Sequence, residues 1–475
     1  MAETAELRDS GKSRKIQQWL TLALVVCIVL CCTIPMGFLD LWNGEIPGHR
    51  NQYELMAEAI LDGKLYIDYQ ETDELAQLEN PYDPEERDAA KVSYHFDHAY
   101  YNGHNYMYFG VAPVFLLFIP YRVLTGHSLT TYHATQLFAA LTIVGIFVLF
   151  DLLRKRFFPK MPYITHLALT SAVSVISIHY SIAEPALYCT AIIGGLAAMI
   201  WSFFFYIKAV WVETVENKQL KMAFFGALLG ALAFGCRPTV AVSNLLVIPM
   251  LVVFLRQRKF SWALLGKLAL AASPYIVIGV LLMLYNYVRF DNPFEFGQSY
   301  QLTMYDINQF AQEQSFKKFR FMFGSFRKLW FAPVSVSGKF PFFATGGLIK
   351  SYPVFLTLFG FFMPSFWKKL RKEKLALTVA AIALVIVIVT YLEISWSPKI
   401  MIRYHLDLYY LMGILAYLIV GLGYNGQAKK KQKVLSWFVV SSSVVSLLLS
   451  VFYYFFMISA YYGDKVDRIG QMLFG

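Results

Sequence analysis

Charged residues are scarce in this chain. They make up 15% of its 475 residues, against about 25% in a soluble domain. That shortage excludes a protein that meets water on every face. Cysteine is scarce too: Cys27, Cys31, Cys32, Cys189 and Cys236 all fall in or at the ends of apolar segments. None stands at a disulfide or zinc-ligand spacing. No HExxH pair, internal repeat, low-complexity linker or separate soluble domain is visible. The net charge of +11 would suggest nucleic acid in a soluble protein. Here the basic residues gather in short loops between apolar runs, so topology explains them and no nucleic-acid partner is expected.

What the chain has in abundance is apolar length, with 57% hydrophobic residues. Runs near the roughly 20 residues that cross a bilayer recur along it. They imply an all-α polytopic membrane protein of about eleven spans, near 16–36, 130–153, 163–181, 186–207, 221–235, 239–256, 261–287, 345–365, 375–393, 406–424 and 434–458. The first run follows Arg8, Lys12, Arg14 and Lys15 and is too long for a cleaved leader, which suits a retained signal anchor. With the N-terminus cytoplasmic, the inner connections hold "RKRFFPK", "ENKQLK", "RQRK", "KKLRKEK" and "KKKQKV", all basic, as expected of cytoplasmic loops. The outer face then receives fifteen carboxylates between Asp40 and Asp97.

Residues 108–124 could pass for a further span, but would reverse that charge asymmetry and contain Pro113 and Pro120. They are expected as a re-entrant or interfacial helix on the outer side. The organisation is therefore a single membrane domain over 1–475, with large extracytoplasmic loops at 37–129 and 288–344.

Chemistry-bearing residues collect at the outer level. "VSYHFDHAYYNGHNYMYFG" (92–110) offers Asp97 as a general base and His98 as a donor to a sugar or phosphate. His95 and His98 stand three residues apart, a spacing metal sites use, but no HExxH pair or nearby cysteine accompanies them, and the tyrosines also suit a headgroup-level loop. Glu54, Glu58 and Asp62 share one face of a helix opposite Tyr53, Met56, Ala57, Ile60 and Leu61. Asp40 lies at the end of the first span, and Glu184 in "HYSIAEPALY" lies where two spans meet. A carboxylate at membrane level is costly and usually functional. Arg237, Arg289, Arg403 and His405 sit at span ends, and an arginine fork suits a phosphate.

This pattern resembles the GT-C superfamily of membrane glycosyltransferases. "QYELMAEAILDGKLY" is similar to the segment after the catalytic acid in the aminoarabinose transferase and protein O-mannosyltransferase families, and "FDHAYYNGHNYMYFGVAPVFLLFIPYRVLTG", "GCRPT" and "YNYVRFDNPFEFGQSY" resemble features of bacterial members. The resemblance implies a GT-C-like fold and inverting transfer of a sugar from a polyprenyl phosphate to an envelope glycan, lipid or protein at the outer face. It implies Asp97, Glu54, Glu184 or Asp40 as acids and bases, with His98, Arg237, Arg289, Arg403 and His405 on the substrate. No cofactor is required, no metal ligand is assigned, and a divalent metal stays open. The chain departs from those families in carrying Arg50, Asn51 and Gln52 where an acid is usual. A lipid or solute transporter, and an inactive relative that binds lipid-linked sugar, remain the alternatives.

Overall fold

The computed structural model describes residues 2–37, 52–69, 74–259, 261–308, 317–372, 375–396, 401–425 and 427–474. Nine helices among the described residues are long and apolar enough to cross a membrane: α1 (Lys15–Met36), α2 (Thr131–Phe157), α3 (Leu187–Val212), α4 (Glu216–Cys236), α5 (Pro238–Leu255), α6 (Trp262–Phe290), α7 (Ala376–Ser395), α8 (Ile402–Tyr424) and α9 (Lys429–Phe474). The protein is an all-α polytopic membrane protein. Most of α8 and α3 is buried within the bundle, whereas α1 and α6 keep most of their surface outward, as peripheral helices do in lipid.

Two of the eleven expected spans are shorter than hydropathy alone implies. The run 163–181 forms a helix only over Tyr163–Ile176, breaks at Ser177 and Ile178, and resumes as the single turn His179–Ala183. The fourteen-residue helix reaches about 21 Å, and the turn after it brings the chain to α3, whose Thr190 meets Thr135 near the start of α2. The run 345–365 opens with Gly346 and Gly347 packed tightly on the backbone of 330–334, then passes Pro353 into a 3₁₀ helix over Pro353–Phe362. Hydropathy counts apolar residues; these glycines and this proline set the backbone. The helix Val114–Thr125 is too short to span.

The segment between α1 and α2 builds a compact cap. Helix Gln52–Leu61 buries Tyr53, Met56 and Ala57, while Leu61 is exposed. The Tyr53 ring stacks on Phe118 at 5.3 Å, and its hydroxyl donates to the Gly110 carbonyl at 3.2 Å. Strands β1 (Ala99–Tyr101) and β2 (His104–Tyr106) form a hairpin whose turn residues, Asn102 and Gly103, both have positive φ. Asn-Gly supplies that geometry at little steric cost. The segment after α6 joins this hairpin: Asp97 N–H donates to Leu302 O at 2.9 Å, Leu302 N–H returns to His98 O at 2.8 Å, and Ala99 bridges Gln301.

Candidate active site

Asp97 lies where this cap meets the N-terminal ends of α3 and α8. Its backbone is held at φ 58°, a left-handed conformation that aspartate tolerates better than most residues. Leu302 fixes its N–H, and buried Gln52 donates from Nε2 to its carbonyl at 3.0 Å. Its carboxyl accepts from the Tyr188 hydroxyl on α3 and from Tyr108. Burial pushes this carboxyl up from 3.8 to about 6, with Arg403 and the Tyr108 hydrogen bond pulling the other way.

Arg403 supplies the positive charge. Its guanidinium packs 3.9 Å from the centre of the Tyr188 ring and 5.5 Å from that of Tyr404. Its field reaches Tyr180, Glu184 and Tyr108 as well as Asp97. Among the described residues no carboxylate comes within ion-pair distance of it; Arg403 is partly buried and held by ring faces. Glu184 accepts the Tyr180 hydroxyl at the turn entering α3. Asp97, Arg403 and Glu184 thus share one electrostatic neighbourhood.

The other sequence candidates have different surroundings. Glu54 Oε1 accepts the Thr131 N–H at 2.9 Å at the start of α2, and Glu58 pairs with Arg122 at 2.6 Å. The acidic row therefore ties helix Gln52–Leu61 to its neighbours, leaving Asp62 exposed. His98 is fully buried, its Nε2 3.0 Å from the Tyr69 hydroxyl and its Nδ1 3.0 Å from Phe96 O. Arg289 donates to Met107 O and Asn286 Oδ1, both at 2.8 Å, with its guanidinium against Tyr285. His405 is buried beside Tyr409, their Nδ1 and hydroxyl 3.3 Å apart. Asp40 lies outside the described residues. No three His, Cys, Asp or Glu side chains converge as a metal site among the described residues.

Arg237 donates from Nε to both carboxylate oxygens of Asp407, at 3.0 and 2.9 Å, and its Nη2 lies 2.7 Å from Oδ2 and 3.5 Å from Glu393 Oε1. Asp407, Glu393, Tyr188 and Tyr108 escaped the sequence reading as site residues. Asp407 could have been flagged as a carboxylate inside an apolar run, in "RYHLDLYY". Nothing local marks Tyr188 among 31 tyrosines.

Two solved structures are similar to this chain. One is ArnT from Cupriavidus metallidurans bound to undecaprenyl phosphate, at 14% identity and a TM-score of 0.46, covering 95% of this chain and 78% of that one. The other is the Archaeoglobus fulgidus oligosaccharyltransferase in the apo form, at 12% identity and a TM-score of 0.41, covering 93% of this chain and 55% of that one. No family model and no curated protein matches the sequence.

Proposed function

We propose that the protein is a glycosyltransferase of the membrane's outer face, with the N-terminus cytoplasmic. It moves a hexosyl or pentosyl group from a polyprenyl phosphate to a hydroxyl of an envelope glycan, lipid or protein. One observation carries this reading: Arg403 has no ion-pair partner among the described residues, yet it shares Tyr188 with a carboxylate whose pKa is raised to about 6. An arginine without a counter-ion at membrane level is suited to an anionic headgroup. A carboxylate titrating near neutrality is suited to general base work.

In this reading the acceptor oxygen attacks the sugar's anomeric carbon from the face opposite the phosphate. The carbon–oxygen bond to phosphate breaks, and its electron pair stays on the departing polyprenyl phosphate. Asp97 takes the acceptor's proton, Arg403 stabilises the charge growing on the phosphate, and the anomeric configuration inverts. Glu184 lies near Arg403 and supports the site electrostatically. No step is assigned to a metal or cofactor.

The test is transfer of radiolabel from polyprenyl-phosphate sugars to membrane acceptors by purified protein. Asp97→Asn and Arg403→Gln should each abolish most transfer while Glu54→Gln retains it. Undiminished transfer in Asp97→Asn would refute the assignment, and protein-dependent solute movement across sealed vesicles without transfer would favour a transporter.

A further inference from the structure

The Arg237–Asp407 pair joins two helix breaks. Arg237 is an extended residue between α4 and α5, immediately before Pro238. Asp407 sits one helical turn after Arg403, in the first turn of the helix that follows the 3₁₀ turn Ile402–His405. Asp407 is fully buried, and it receives Thr239 Oγ1 at 2.9 Å in addition to the Arg237 fork. Glu393 on α7 approaches the same guanidinium at 3.5 Å. The guanidinium also lies 5.9 Å from the centre of the Tyr404 ring, and Tyr404 adjoins Arg403. Among the described residues Arg237 is thus engaged by carboxylates within ion-pair distance, whereas Arg403 is held by ring faces. A buried, hydrogen-bonded ion pair is a weak source of net stability but is strongly disrupted when one partner is lost. Such a pair can therefore specify where a chain segment sits.

We infer that Arg237 and Asp407 are positioning residues for Arg403: their ion pair fixes the turn from which Arg403 reaches over Tyr188 toward Asp97, and neither contacts the substrate. The inference rests on the phosphate-binding role proposed for Arg403. It differs from the sequence expectation that Arg237 itself holds the phosphate. Thr239 serves the same purpose through its bond to Asp407.

A double-mutant cycle tests it, with undecaprenyl phosphate as the probe and native mass spectrometry of the detergent-solubilised full chain as the readout. Asp407→Asn and Arg403→Gln should each weaken binding about tenfold or more, and the double variant should bind no more weakly than Arg403→Gln alone. Arg403→Gln should also shift the pH midpoint of the residual transfer upward from about 6, because it takes a positive charge away from Asp97. Additive losses, or wild-type binding by Asp407→Asn, would overturn the positioning role while leaving Arg403 in place. Wild-type binding by Arg403→Gln would overturn the phosphate-binding role and the positioning role together. Thr239→Val covers the case in which Asp407→Asn fails to fold. It removes one hydrogen bond, and should weaken binding in the wild-type background but not in Arg403→Gln. Equal losses in both backgrounds would overturn the inference.

Discussion

Arg403 holds its guanidinium 3.9 Å from the centre of the Tyr188 ring, while the hydroxyl of that ring donates to Asp97. One tyrosine therefore serves the cation with its face and the carboxylate with its edge. The two roles separate by mutation. Tyr188→Phe keeps the ring and should leave binding of undecaprenyl phosphate unchanged. It removes a hydrogen bond to the ionised carboxylate, so the pH midpoint of transfer should rise. Tyr188→Leu loses the ring face too, and binding should weaken roughly two- to thirtyfold. Equal binding by the two variants would show that the ring face does not hold Arg403.

The titration of Asp97 sets a pH dependence of known sign. Its folded value of about 6 lies above the ordinary 3.8. The protonated form therefore contributes stability that is fully present below about 3.8 and is lost as pH rises through about 6. Asp97→Asn resembles the protonated form at every pH. Its melting temperature relative to wild type should climb between pH 4 and pH 7 on the order of the linkage effect, then level off. Transfer by the wild type should rise through the same window, since the base must be ionised. Asp97→Ala adds the strain of a positive φ, and should be less stable than Asp97→Asn by about 1–2 kcal/mol. A flat melting difference across this range would remove Asp97 as the perturbed group.

Much of this site was legible in sequence because its ingredients are rare in a membrane. Glu184 and Arg403 stand out as charges at the ends of apolar runs, and Asp97 as the one carboxylate in the stretch 92–110, rich in tyrosine and histidine. Their neighbours do not. Gln52 reads only as the place where an acid is missing, yet it donates to the Asp97 carbonyl. The partner of Arg237 lies 170 residues away, and no local spacing announces a contact made by tertiary packing. Arg289 looks like a free cation until Met107 O and Asn286 are seen to accept from it. The breaks inside two of the expected spans were hidden for a related reason. Hydropathy reports solubility in lipid, whereas the break at Ser177 and Ile178 and the 3₁₀ turn after Pro353 are decisions of backbone geometry.

Glu54 provides a control for the choice of base. Its carboxylate accepts the first free N–H of α2, from Thr131, a position where a side-chain oxygen satisfies an orphan donor. Glu54→Gln retains an accepting oxygen and should keep both stability and transfer near wild type. Glu54→Ala should cost about 1 kcal/mol of stability with transfer per folded molecule largely preserved. The neighbouring Glu58–Arg122 pair, 38% and 34% exposed, should contribute about 0–1 kcal/mol. Loss of transfer in Glu54→Gln, with folding intact, would move the base from Asp97 to Glu54.

Gly110 links the cap to the positioning pair through a close approach of backbones. A Cβ placed on it would lie 2.1 Å from the Cys236 carbonyl oxygen and 2.3 Å from that of Gly235. Neither oxygen can rotate aside as a side chain would, so the cap or the end of α4 must shift. Cys236 directly precedes Arg237, and the shift would therefore reach Asp407 and Arg403. Gly110→Ala should destabilise the protein by about 1–3 kcal/mol and weaken undecaprenyl phosphate binding in parallel. Gly266 on α6 is the control, because a Cβ placed on it would meet no atom within 4 Å. Gly266→Ala should be neutral or stabilising by up to about 1 kcal/mol, with binding unchanged. If Gly110→Ala lowered the melting temperature but left binding intact, the path from the cap through Arg237 to Arg403 would be broken.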